Sequence, residues 1–358
     1  NLNQTALSKV DGIVFDANDN PIGNIEVSAF TKPITEPGAK LINQTRTLED
    51  GRFTIHLPEG NTFLIAHDLE HQRSESVQVV AQPQVDESIQ LQLQGHAQLE
   101  IQTNFFGLDG APLSPYPAKL SLMPNEGTQI PSNLLGDFID KGLSNYHLST
   151  DGTFNVTLPP GDYTVYVTRG FVFSRYRKEI SLQPNDTVSL TAELTQAIDM
   201  NGFVNTEFHQ HSLGSVDANV RFETRVLENA AEGIHFAAST DHDNLVDFQP
   251  YVEKLGLTDF IRTVVGNEVT YTGGIGHFNV YPWDIDPEDP FRDVGSHIWY
   301  MTTATTLFSK FRDLAGDPLI QINHPRSGFS GYFSQLGINP VDGSFAPREE
   351  ANSPVLPR

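Results

Sequence analysis

The sequence predicts a multidomain chain with two β-sandwiches in its first half and an α/β domain of strand–helix units after them. Three observations point there. Short alternating strands broken by Gly, Pro, Asn and Asp fill residues from about 8 to 95. The phrase Asp50-Gly51-Arg52-Phe53-Thr54-Ile55-His56-Leu57-Pro58-Glu59-Gly60 recurs as Asp151-Gly152-Thr153-Phe154-Asn155-Val156-Thr157-Leu158-Pro159-Pro160-Gly161, an offset of about one domain. After Leu194 the alternation gives way to helical spacing interleaved with short apolar runs, the mark of βα units and a mainly parallel sheet or barrel.

The elements follow in order. Val10-Asp11-Gly12-Ile13-Val14 reads as a strand leading into the turn Asn18-Asp19-Asn20-Pro21, and Ile25-Glu26-Val27 alternates beyond it. In the repeated phrase Asp-Gly makes a tight turn, and the period of two puts Phe53, Ile55 and Leu57 on one buried face. Phe154, Val156 and Leu158 hold the same places in the second copy, and Tyr163, Val165 and Val167 continue the alternation. Residues 226–233 read as a helix ended by Gly233, followed by a strand at 234–238. Residues 264–266 and 319–322 are further short apolar strands, and Leu307, Phe308, Phe311 and Leu314 stand at helical spacing. The resulting boundaries are 1–95, 96–196 and 197–358.

Composition narrows the function. The net charge of −23 on 358 residues opposes binding to nucleic acid or anionic lipid, which needs a basic footprint. With no cysteine there is no disulfide framework, thiolate metal site or thiol nucleophile, so any metal is held by His and carboxylates. No apolar run approaches the roughly 20 residues of a membrane helix, so membrane insertion is not expected. The first residue, Asn1, follows no signal-like segment and reads as a processed or trimmed end.

His209, His211, Asp217, His242, Glu268, His277 and His324 each stand where a short apolar run turns polar. Such places are strand C-termini, where α/β proteins gather their chemistry. All are ligands for hard or borderline divalent cations. His209 and His211 are two apart, so on a strand they share a face and reach one ion without a backbone bend.

These residues carry a resemblance. Glu207-Phe208-His209-Gln210-His211-Ser212, Ser239-Thr240-Asp241-His242-Asp243, Gly266-Asn267-Glu268, Gly276-His277-Phe278-Asn279-Val280-Tyr281 and Ile322-Asn323-His324-Pro325-Arg326 stand in the order of the motifs of the PHP (polymerase and histidinol phosphatase) superfamily. Residues 203–326 resemble its CehA/McbA-like metallohydrolase branch. The first sandwich resembles the carboxypeptidase-regulatory-like module, which often precedes that catalytic domain. The resemblance implies a distorted (β/α)7 barrel holding two or three divalent ions (Zn, Mn or Fe). His209, His211 and Glu268 would bind one ion. Glu268 would bridge to a second held by His277 and His324, and Asp217 and His242 would hold a third. A shared water of lowered pKa would attack the substrate. Asp241 would orient a neighbouring imidazole, and Arg326 would fork onto a phosphate or carboxylate.

Two departures qualify the match: Glu207 replaces the family's Asp, and no D-x-H pair follows His324. The barrel region is also short, which reads as a fragment ending before its last βα units. Its open face would then be covered by the missing C-terminal portion or by a second copy.

Blander readings stand beside these. His56, His67, His71, His96, His147, His235 and His297 read as surface or satisfied core residues. Asp217 also suits an N-cap, the Gly276-His277 pair a turn, and Arg326 a tie for its own loop. Trp283, Trp299 and Tyr300 read as core before pocket lining. The functional expectation is a bacterial, periplasmic or extracellular metal-dependent hydrolase of a small-molecule ester, phosphate first and carbamate or carboxylic esters next. The alternative is a non-catalytic binding or structural β-sandwich protein with a degenerate metal domain. No H-E-x-x-H occurs to support a zinc peptidase.

Overall fold

In the computed structural model the described residues are 7–34, 36, 38–68, 73–82, 88–125, 128, 146–271, 276–289, 291–292, 294–300, 302–327, 331–335 and 337–344. They fall into two compact units: 1–169 with 173–197, and 170–172 with 198–358.

The first unit opens with β1 (Leu7–Phe15), β2 (Glu26–Phe30), β3 (Leu41–Arg46), β4 (Arg52–Pro58), β5 (Gly60–His67), β6 (Arg73–Ser74), β7 (Val77–Ala81) and β8 (Ser88–Gln94). β4 pairs antiparallel and β8 parallel with β1, while β3, β2, β5 and β7 form an antiparallel run. Phe53, Ile55 and Leu57 point inward onto Val10, Val14, Val27, Leu64 and Leu91.

β9 (Ala97–Phe106), β10 (Ala118–Pro124), β11 (Tyr146–Ser149), β12 (Thr153–Leu158), β13 (Gly161–Thr168), β14 (Tyr176–Leu182) and β15 (Thr187–Thr195) repeat that plan apart from β6, which links β5 to β8 in the first copy and has no counterpart among the described residues of the second. β12–β9–β15 reproduces β4–β1–β8, down to one antiparallel and one parallel pairing on the central strand. β11–β10–β13–β14 reproduces β3–β2–β5–β7. Phe154, Val156, Leu158, Tyr163, Val165 and Val167 fill the second core, as the alternation requires. The turn Gly sits at φ 80 in the first copy and φ 81 in the second, a left-handed conformation that Gly adopts without a Cβ penalty. The Tyr163 hydroxyl donates to the Pro159 carbonyl at 2.9 Å, tying strand to turn. The second copy also keeps the opening half of the pattern, because Phe106 bridges Pro112 as Phe15 bridges Pro21.

The second unit contains β16 (Thr206–Glu207), α1 (Phe222–Ala231), β17 (Phe236–Ser239), α2 (Gln249–Lys254), β18 (Arg262–Val265), β19 (Asn267–Tyr271), β20 (Gly276–Tyr281), α3 (Ser296–Trp299), α4 (Ala304–Ala315), β21 (Leu319–Ile322) and α5 (Tyr332–Gln335). α4 begins at Thr303, whose hydroxyl accepts from the Thr306 N–H, and ends at Gly316 in the left-handed region. Its Leu307 and Phe311 pack on Val269, Phe278 and Val280 of the sheet above. Trp283 lies in the same core, and the Trp299 indole donates to Asp243 at 3.0 Å.

This unit corrects the expectation of a (β/α)7 barrel. β16–β17–β18 is a three-stranded parallel sheet, but β19–β20–β21 is a separate three-stranded antiparallel one. A barrel of βα units needs parallel strands joined by helical crossovers. β19 and β20 instead pair antiparallel as sequence neighbours. The chain is mostly β, 44% strand against 12% helix. Among the described residues no helix is long and apolar enough to cross a membrane.

Phe154 is 4% exposed, so Phe154→Ala should lower unfolding free energy by about 3–5 kcal/mol through the cavity it leaves. Urea denaturation checks this; a loss under about 1 kcal/mol would contradict the inward placement of the repeat.

Candidate metal centre

The strand ends decide where the chemistry-bearing side chains go. His209 follows β16 and His242 follows β17, so both emerge at the same end of the parallel sheet. Between them Gln210 turns the other way: its amide donates to the Ala238 carbonyl at 3.0 Å and accepts from Asn229 at 2.8 Å. This fixes the two flanking imidazoles on the opposite face. On the antiparallel sheet Glu268 stands opposite Asn279, and Thr270 opposite His277. Period two therefore puts polar residues on one face, while Val269, Phe278 and Val280 face the core. A bridge between His242 and Glu268 joins the two groups of strands.

Glu268 is the centre. Its side chain is 1% exposed. One carboxylate oxygen, Oε2, lies 3.1 Å from His209 Nε2, 2.8 Å from His211 Nε2 and 3.3 Å from His242 Nδ1. The other, Oε1, lies 3.1 Å from His277 Nδ1 and 3.7 Å from His324 Nε2, and accepts from the Asn323 amide at 2.9 Å. Asp217 closes the far side, with Oδ1 2.8 Å from His211 Nδ1 and Oδ2 3.3 Å from His242 Nε2. All seven residues singled out as ligands in the sequence come together here.

The remaining two candidates sit differently. Asp241 is fully buried and accepts from both the N–H and the hydroxyl of Ser212 at 2.5 Å. It anchors the loop that follows His211 and, among the described residues, meets no imidazole at hydrogen-bond distance, unlike the orienting role expected of it. Arg326 is exposed; its guanidinium lies 5.3 Å from the Phe333 ring and reaches the Ile338 carbonyl at 3.5 Å. It ties down its own loop, the blander of its two readings. Glu207 caps the entry by accepting from the His209 N–H at 2.8 Å. His235, set aside in the sequence, accepts on Nδ1 from the Asn205 N–H at 3.0 Å.

Sequence reasoning missed the residues that hold the ligands. Asn323 donates to Glu268 and to Asn279 Oδ1 at 2.6 Å, and Asn279 donates to the Phe208 carbonyl at 2.7 Å. Thr270 meets His242 Nδ1 at 2.5 Å, and Ser215 donates to Asp217 at 2.7 Å. The asparagines stood inside the quoted motifs, one residue before His324 and two after His277. Their position beside the ligands was the available signal.

Electrostatics follow from this crowding. Burial works to raise the Glu268 carboxyl, but hydrogen bonds from His209, His211, His277 and Asn323 outweigh it and hold the group well below the carboxylate range. The bond to Glu268 is the largest influence on His211, raising it from 6.5 to about 9 against the opposing effect of burial. Burial likewise opposes the fall of Asp217, which its bonds to His211 and Ser215 bring from 3.8 to about 2. Desolvation lowers His242 and His324, keeping them in the neutral form that ligates metals. Desolvation also raises Asp241 and Asp243.

The donor set fits a divalent cation. Three groups bring ligand atoms within 4.8 Å of one another: His209, His211 and Glu268; His211, Asp217 and His242; His242, Glu268 and His277. His324 Nδ1 is buried without a hydrogen-bond partner among the described residues, and His324 itself holds a left-handed φ of 26, a strained conformation for a non-glycine. The proton that Glu268 and Asp217 hold on His211 is the kind of positive charge that a cation would supply.

No family model matches the chain, and no curated protein matches it. Solved structures similar to it include the minor pilin GBS52 of Streptococcus agalactiae, at 15% identity and TM-score 0.34, covering 54% of this chain and 97% of that one. A streptococcal ancillary pilin matches at 15% identity and TM-score 0.32, over 55% of this chain and 64% of its own. The shaft pilin SpaA of Lactobacillus rhamnosus GG matches at 10% identity and TM-score 0.22, over 54% of this chain and 99% of its own. No property of these proteins is carried across. With one parallel and one antiparallel three-stranded sheet in place of a barrel, the PHP assignment is corrected. The metal-dependent hydrolase activity and ester substrate that rested on it are corrected with it.

The shifts set a pH window for metal-free protein. A raised His211 contributes fully below its unfolded value of 6.5, and the contribution is lost as pH rises through about 9. A lowered Asp217 contributes above 3.8, and its contribution is lost as pH falls toward 2. Stripped of metal, the second unit should melt highest between these limits and lose melting temperature from pH 6.5 to about 9. Calorimetry checks it; a flat melting temperature over that span would contradict the coupling of His211 to the two carboxylates.

Proposed function

We propose that this chain is a non-catalytic structural or binding protein: two tandem β-sandwiches carry a unit that a divalent cation fastens together. The observation that carries the reading is the convergence of His209, His211, His242, His277 and His324 on the two oxygens of one buried carboxylate. Buried charge is costly unless paired, and a cation set among neutral imidazoles and Glu268 compensates it fully. The ligands come from separate stretches: the loops after β16 and β17, strands β19 and β20, and the loop after β21. Metal binding would then cross-link elements that hydrogen bonds alone join weakly, and its free energy would become folding free energy. Imidazole with carboxylate suits zinc first, with manganese or iron as alternatives. His209, His211 and Glu268 would hold one ion and His242, Glu268 and His277 another, with Asp217 beside His211 and His242 and His324 beside Glu268. We place the protein in the periplasm or outside a bacterial cell; its acidic composition supports this by suiting a salty, cation-bearing medium.

The test is metal content by elemental analysis after loading with zinc, manganese or iron and dialysis, read beside thermal melting. Wild-type protein should retain at least one ion per chain and melt higher when loaded. Glu268→Gln keeps the shape but removes the charge, so it should lose the ion and the added stability while the β-sandwiches remain folded. Unchanged metal content in Glu268→Gln, or no change in melting on loading, would overturn the reading.

A further inference from the structure

The sheets of the first unit end in strands that are guarded unequally. β3 abuts a bulge in its partner between Ala29 and Phe30. The Asn43 side chain caps the edge of β4 by donating to the His56 carbonyl at 2.8 Å, and the strand closes on Pro58. β14 carries Arg177, Lys178 and Glu179 in a row. Bulges, prolines and charges are the usual protections against strand-to-strand association. β15 has neither bulge nor proline, and a single charge, Glu193. Its nine residues, Thr187-Val188-Ser189-Leu190-Thr191-Ala192-Glu193-Leu194-Thr195, contain one charge and neither Pro nor Gly.

The direction of its free backbone groups can be read from its two ends. Gln98 N–H donates to the Asp186 carbonyl and Gln196 N–H to the Phe106 carbonyl, so the even-numbered residues face β9. Thr195 faces away and is capped by Ser174, whose N–H donates to its carbonyl at 2.8 Å and whose hydroxyl accepts from its N–H at 2.9 Å. In a strand this alternates, so Thr187, Ser189, Thr191 and Glu193 aim N–H and C=O outward. None of these groups meets a partner among the described residues.

We infer that β15 is a docking edge for a second copy of this chain, paired antiparallel about a twofold axis at Leu190. That register sets Thr187 opposite Glu193 and Ser189 opposite Thr191, and every outward backbone group on both copies finds a partner. Thr195, already capped, is left out. No like charges meet, because Glu193 faces Thr187 in both directions. On the inner face Leu190 meets Leu190 and Val188 meets Ala192, so the two cores continue across the joint. Another protein's strand on the same edge is the competing occupant. The self-complementary register favours the second copy. The inference is independent of the metal reading.

The experiment is sedimentation velocity of the full chain from low micromolar to millimolar concentration, with amide exchange by NMR. Wild-type chain should dimerise, more tightly in added salt, because a net charge of −23 per copy is screened. The amides of Thr187, Ser189, Thr191 and Glu193 should gain protection with concentration. Thr187→Lys should tighten the dimer and Thr187→Glu loosen it, the two differing about tenfold in dimerisation constant. Thr191→Pro removes an outward donor without touching β9, so it should abolish the dimer and leave melting unchanged. A chain monomeric at every concentration, a dimer without protection at those amides, or one indifferent to Thr191→Pro would each overturn the inference.

Discussion

One buried carboxylate organises the second unit. Glu268 keeps its charge with almost no contact with water, and an unpaired charge there would cost several kcal/mol. Its compensation comes from side chains on separate strands and loops, so the position of each is constrained by the same pair of oxygens. Asn323 and Asn279 form the neutral part of that compensation, and the imidazoles the titratable part. The fold answers by splitting the faces of β19–β21: polar residues toward Glu268, Val269, Phe278 and Val280 toward α4. The apolar face is thus what holds the polar face in place.

The first unit solves a different problem by repetition. One strand order is used twice, each copy built around a central strand with an antiparallel neighbour on one side and a parallel one on the other. A parallel pair needs a long crossover, and here the intervening strands supply it. The two copies differ most at their edges, where charge, proline and side-chain caps guard some strands and leave β15 open.

Much of this was legible in the sequence because its cause is local. Alternation placed Phe53, Phe154 and their neighbours inward, and the helical spacing of Leu307, Phe308, Phe311 and Leu314 marked the helix that runs over 304–315. The residues that gather around Glu268 were legible as a group because imidazole and carboxylate at strand ends are uncommon without a reason. What failed was the step from motif order to architecture. Motifs record which residues sit at strand ends, but not whether the next strand returns parallel or antiparallel, and β19–β20 return antiparallel. The opening half of the second repeat is harder to read, since the Phe106–Pro112 bridge spans Gly107-Leu108-Asp109-Gly110-Ala111, unlike its counterpart in sequence. Asp241 and Arg326 were assigned by analogy with a site; their partners, Ser212 and Phe333, are set by loop geometry that spacing does not encode.

The central claim is that the imidazoles around Glu268 are ligands and not merely its hydrogen-bond partners. X-ray absorption at the zinc edge of the loaded full chain tests it most directly. The account expects a first shell of nitrogen and oxygen at about 2.0–2.2 Å, with the outer-shell scattering of several imidazole rings. A shell of oxygen alone, indistinguishable from hydrated zinc, would contradict it.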